Sequence, residues 1–117
     1  MADLLLDTNV FVDHLRGAHR IKLRAGDSIH YSTITRCELF AGPAEQEPAV
    51  RNLLGPFREL PVDTELAGLA GQIRRETRIL TPDALIAATA LVHGLSLVTG
   101  NRRDFDPVPN LRVRSSA

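Results

Sequence analysis

A chain of 117 residues with 44% hydrophobic and 24% charged side chains is large enough for one buried core and too apolar for disorder. Its 14 basic and 14 acidic residues cancel, so the whole-molecule field offers no argument for nucleic acid as a partner. One cysteine excludes an internal disulfide, and the longest uncharged apolar stretch, Ala84 to Val92, falls far short of the roughly 20 residues that span a bilayer.

In chain order, Leu4, Leu5 and Leu6 form an apolar run that ends in Asp7. Such a run is expected as a strand buried on both faces, with Thr8 and Asn9 turning the chain into a helix that reaches about Leu15 and stops at Arg16-Gly17. A second strand is expected at Ile29-His30-Tyr31, and Ser32 or Thr33 is placed to cap a second helix that carries Glu38. The apolar residues Ile34, Cys37, Leu39, Phe40 and Ala41 nearly surround that acid, which predicts two packing partners for the helix and a buried Cys37. Together with Phe11 and Leu15 they suggest a groove for a protein partner. Gly42-Pro43 ends the helix. A third helix is expected over Glu47 to Leu54, a short extended piece within Phe57 to Val62, and a longer helix from Asp63 or Thr64 to about Thr77.

Thr81-Pro82-Asp83 reads as a capping threonine, a proline at the first helical position and an acid in the first turn. The helix it opens runs to His93-Gly94 almost without charge and belongs in the middle of the domain. Ser96 to Thr99 follows as a strand, Gly100 to Phe105 as a loop or short turn, and Leu111 to Val113 as a last strand. Strands alternating with helices over 1–117 predict a single α/β domain, a three-layer α/β/α arrangement around a mainly parallel sheet. With no basic-then-apolar leader pattern, a cytoplasmic protein is expected.

Four carboxylates stand out by position: Asp7 after the first strand, Glu38 in the second helix, Asp83 at the start of the uncharged helix, and Asp104 after the Ser96 to Thr99 strand. Each has a plainer explanation: Asp7 and Asp104 as caps, Asp83 as a helix-dipole residue, Glu38 as the partner of Arg36 or Arg51. Brought together at strand ends they would repel one another unless a cation or raised pKa values relieved the charge. An all-oxygen set suits Mg²⁺ or Mn²⁺. His14, His19, His30 and His93 lack the spacing of zinc ligands, and Cys37 is alone. The chemistry this implies is metal-assisted phosphodiester hydrolysis. Thirteen of the 14 basic residues are arginine, whose planar fork suits phosphate. Arg102 and Arg103, beside Asp104, are the first candidates for RNA contacts, with Arg74, Arg75 and Arg78 next.

Leu-Leu-Asp-Thr-Asn near the N-terminus, Glu38, Pro-Asp-Ala-Leu-Ile-Ala-Ala-Thr-Ala at 82–90 and Val-Thr-Gly-Asn-Arg-Arg-Asp-Phe at 98–105 resemble the PIN-domain ribonucleases, and among them the VapC toxins of toxin–antitoxin pairs. The resemblance covers nearly the entire chain. It implies that Asp7, Glu38, Asp83 and Asp104 hold Mg²⁺ or Mn²⁺, that Thr8, Thr99 and Asn101 support them, and that the protein is an endoribonuclease which inhibits translation and growth. It further implies a VapB-type antitoxin that wraps and blocks the toxin, in a homodimer or a toxin–antitoxin hetero-oligomer, with no membrane involved. Two rivals fit less well. A haloacid-type phosphatase needs an acid where Asn9 stands, and a receiver domain needs a late lysine, whereas Lys22 is the only lysine. A degenerate PIN-like binding module would be expected to lose acids.

Overall fold

The computed structural model describes residues 1–116. Five parallel strands form one sheet in the order β3-β2-β1-β4-β5: β1 (Asp3–Leu6), β2 (Ser28–Ser32), β3 (Arg58–Leu60), β4 (Ser96–Thr99) and β5 (Val113–Ser115). Between them run α1 (Thr8–Leu15), α2 (Thr33–Phe40), α3 (Glu47–Leu54), α4 (Thr64–Thr77), α5 (Thr81–His93) and α6 (Arg102–Phe105). This is the expected three-layer α/β/α arrangement with a parallel sheet.

The apolar run at the N-terminus is explained by two cores. Side chains alternate across a strand, so Leu5 faces one side of β1 while Leu4 and Leu6 face the other. Leu5 joins Leu97, Leu66, Ile73, Phe105 and the small residues Ala84, Ala87, Ala88 and Ala90 of α5. Leu4 and Leu6 join Ile29, Tyr31, Phe11, Val50 and Leu54. The alanines of α5 keep it close to the sheet and to α4, which is why a helix without charges can lie in the interior.

Several local expectations shift. The helix at 81 starts at Thr81 itself, with Leu80 as its N-cap and no side-chain cap, so the proline is the second helical residue and not the first. Residues 102–105 close a short helix where a loop or turn was expected. The last strand lies at Val113–Ser115 instead of Leu111 to Val113, because pairing with Leu97, Val98 and Thr99 sets its register.

Two packing expectations are overturned. Cys37 is exposed, since α2 turns Leu39 toward one core and Ile34 toward the other and leaves Cys37 outside. Phe11 is fully buried, with its ring edge-on to Tyr31 at 5.9 Å, so it offers nothing to a partner. Phe40 is flanked by the guanidinium groups of Arg36 and Arg51, 5.4 and 5.0 Å from its ring centroid. Of the apolar residues of α2, Leu39 is buried, Ile34 and Phe40 are partly covered within the chain, and Cys37 stays exposed. No helix among the described residues is long and apolar enough to cross a membrane.

Candidate active site at the strand ends

In parallel α/β sheets, ligands bind beyond the carboxyl ends of the strands. A cavity of about 340 Å³ lies there, lined by Asp7, Glu38, Asp83 and Asp104 together with Thr8, Asn9, Asp13, Arg16 and Asn101. The four acids come from four separate elements.

Asp7 is the most deeply held. Its backbone N–H continues the sheet to Val98 O (2.9 Å), and its side chain is only 5% exposed. The Thr8 N–H donates to Oδ1 at 2.8 Å and the Thr99 hydroxyl to Oδ2 at 2.8 Å. Asp7 thus caps α1 and lines the cavity at once, so the two readings of it do not exclude each other. Burial pushes its carboxyl above the ordinary range, and the charges of Glu38 and Asp104 add to this, while the two hydrogen bonds pull it down.

Thr99 is completely buried and serves several groups at once. Besides donating to Asp7, its oxygen accepts from the Asn101 N–H at 3.0 Å and from Asn9 Nδ2 at 3.4 Å. Asn9 Oδ1 in turn accepts from the Gly100 N–H at 3.1 Å, which ties α1 to the loop leading into α6. Asp7, Thr99, Asn9 and Asn101 are thus joined through one buried hydroxyl.

Glu38 is exposed and pairs with neither arginine considered for it. Arg36 bonds to Glu59 at 2.9 Å and Arg51 to Glu47 at 2.8 Å. Glu38 Oε1 instead accepts from the Thr8 hydroxyl at 2.7 Å. Thr8 has one hydroxyl proton, so the 2.9 Å contact between its oxygen and that of buried Thr35 must be donated by Thr35. Thr35, Thr8 and Glu38 form a directed chain that fixes the carboxylate. Thr35 lies one helical turn before Glu38, a spacing that could have pointed to it, yet a threonine on an apolar face reads as core.

Asp83 opens α5 and is half-buried. Its carboxyl is pushed up to about 6, by burial first and then by the charges of Asp7, Asp104 and Glu38. Unfolded, the same carboxyl titrates near 3.8. The folded protein therefore holds more protons between these two values, so stability without metal falls as pH rises through that window and levels off above it. Asp83→Asn should raise stability above pH 6 by about 1–2 kcal/mol after solvent screening, roughly 4–8 °C in a domain of this size. The gain should vanish near pH 4. A variant melting well below the parent at both pH values in calorimetry would make Asp83 chiefly a structural residue.

Asp104 sits exposed on α6. Arg102 and Arg103 lie on the same short helix, exposed and outside the cavity wall, and Arg74 donates to Ile79 O to close the end of α4. Arg16 and Asp13, which no sequence pattern singles out, also line the cavity.

Residues 4–111 match the PIN domain family. Ribonuclease VapC19 of Mycobacterium tuberculosis is 34% identical over 92% of this chain and 96% of its own length. The chain is a PIN-domain protein of the VapC family. The tRNA(fMet)-specific endonuclease VapC of Salmonella typhimurium is 33% identical to this PIN domain, covering 97% of each. Among solved structures, DNA-bound VapBC from Salmonella typhimurium superposes with a TM-score of 0.82 at 29% identity over the full length of both chains. A toxin–antitoxin complex from Klebsiella pneumoniae superposes at 0.79 and 30% identity, covering 97% of this chain and 98% of that one.

The acids of this PIN domain fit a hard divalent cation by charge and by donor chemistry. All are oxygen donors, and burial first, then the charges of the other three, raise Asp83. They stand around the cavity and not at one point: among the described residues no three His, Cys, Asp or Glu groups are gathered as a ready-made ion cage. Mg²⁺ needs no such cage, since it keeps several waters and is commonly bound through one or two carboxylates.

Proposed function

We propose that this VapC-family protein is a Mg²⁺- or Mn²⁺-dependent endoribonuclease, the toxin of a toxin–antitoxin pair that acts in the cytoplasm to cleave RNA and so inhibit translation and growth. One observation carries the reading: Asp7, Glu38, Asp83 and Asp104, from four elements, line a single cavity at the strand ends. The names of its relatives as ribonucleases support it, and so does the likeness to toxin–antitoxin complexes.

Asp7, with Asp83 and Asp104, would hold the ion, and Glu38 would complete the set. A cation held there would supply Lewis-acid polarisation of the scissile phosphate and activation of a water for attack. The chain's own residues prepare that place. Thr99 and the Thr8 N–H hold Asp7 in one orientation and favour its ionised form. Thr35, acting through Thr8, orients Glu38, while Asn9 and Thr99 fix the loop that leads to Asp104. Arg102 and Arg103 on α6 would contact phosphates and position the strand without reading its sequence. A VapB-type antitoxin would cover this face.

Purified protein incubated with mixed RNA should cut it with Mn²⁺ or Mg²⁺, stop in EDTA, and be blocked by a co-expressed VapB-type antitoxin. Cleavage that persists in EDTA would overturn the metal-dependent reading.

A further inference from the structure

The face of the sheet opposite α4 and α5 is not fully covered. Beside α1 a second cavity of about 310 Å³ opens over Leu4, Leu6 and Val98, walled by the segment that joins α1 to β2 and by the end of β5. Four of its lining residues are cations: Arg20, Lys22, Arg24 and Arg114. All are exposed, and among the described residues none makes an ion pair or a side-chain hydrogen bond. Asp27 shares the wall, but Oδ1 already accepts from the Ala2 N–H at 3.1 Å and Oδ2 from the Arg24 N–H at 3.2 Å. In a chain of zero net charge this wall is a local positive surplus, set against the acids of the active-site cavity.

The two cavities adjoin. Asp13 lines both, so α1 is the partition between them, and Arg16 at its end lines the acidic one. Four acids repel a polyanion, so a strand that reaches them must be held by cations nearby. Arg20, Lys22 and Arg24 stand at alternate positions of one segment immediately across α1.

We propose that this second cavity is the lane for the RNA strand flanking the scissile phosphate, with Arg20, Lys22, Arg24 and Arg114 on its phosphates and the aliphatic floor beneath a ribose or base. The inference rests on the ribonuclease reading of the acidic cavity and adds a second bank to the one supplied by α6. The binding is sequence-tolerant, because the lining offers charge and aliphatic surface instead of base-edge partners.

The test measures affinity for a single-stranded RNA oligonucleotide across a salt titration, in an Asp7→Asn background that binds without cutting. Combining Arg20→Gln, Lys22→Gln and Arg24→Gln should weaken binding at least about tenfold at low salt and reduce the slope of log K against log salt by about 2, at roughly 0.7 per phosphate contact on a single strand. Arg20→Lys with Arg24→Lys should keep the slope. These side chains are exposed and unpaired, so melting temperatures should stay at the parent value. Unchanged affinity and slope would overturn the lane. So would a slope that falls only with Arg102→Gln and Arg103→Gln, or loss of antitoxin binding with RNA affinity intact, which would make the cavity a protein-docking surface. Because binding is read without cleavage, a parent that fails to cut RNA would count against the nuclease reading alone.

Discussion

Asp7→Asn should reduce metal-dependent RNA cleavage by about a thousandfold or more, since losing one ligand to a catalytic ion costs several kcal/mol and each 1.36 kcal/mol is a factor of ten. The fold should survive. The asparagine oxygen can still accept from the Thr8 N–H, and a neutral amide is easier to bury than a carboxylate that is 5% exposed. The contact with Thr99 must reverse, however, because an amide nitrogen cannot accept the hydroxyl proton that Asp7 Oδ2 now receives. That change spreads to Asn9 and Asn101, whose groups share the Thr99 oxygen. Measured with Mn²⁺ on single-stranded RNA, activity above a tenth of the parent's would remove Asp7 from the centre of the site.

Phe11→Ala should cost about 3–5 kcal/mol, within the usual range for emptying a buried aromatic site and a large part of the total stability of such a domain. Phe11 is fully buried, edge-on to Tyr31 at 5.9 Å and tilted against Phe57 at 6.1 Å. An eight-residue helix such as α1 has little stability of its own, so this ring is its main anchor to the sheet. The same helix carries Thr8, Asn9, Asp13 and Arg16 to the acidic cavity and separates that cavity from the cationic one. Urea unfolding should show the loss, and cleavage should fall with it even where the variant remains folded. A loss below about 1 kcal/mol would mean that α1 is held by other contacts.

By itself the sequence determined which segments form the buried strand at the N-terminus and the interior helix. The run Leu4 to Leu6 ending in Asp7 was legible as a strand delivering an acid, because burial on both faces of a parallel sheet leaves a continuous apolar signature. The uncharged stretch from Ala84 was legible as an interior helix for the same reason. The tertiary structure decided what lies opposite what. Leu111 is apolar, so it looked like strand, yet pairing with β4 begins at Val113, and register belongs to the neighbour as much as to the chain. Cys37 and Phe11 exchanged their expected places because periodicity shows that a helix has an apolar side but not which way the sheet lies. Asp13 and Arg16 were not legible as cavity residues, since nothing local marks a side chain that lines a cavity, and Thr35 was marked only by its one-turn spacing from Glu38. The gathering of Asp7, Glu38, Asp83 and Asp104 was expected from their positions in the chain and from the resemblance, and the fold supplies its cause. Asp7 follows the local rule of helix capping, and Asp83 and Asp104 that of first-turn charge, while Glu38 follows neither; the parallel crossovers that return every strand end to the same edge of the sheet are what place the four around one cavity.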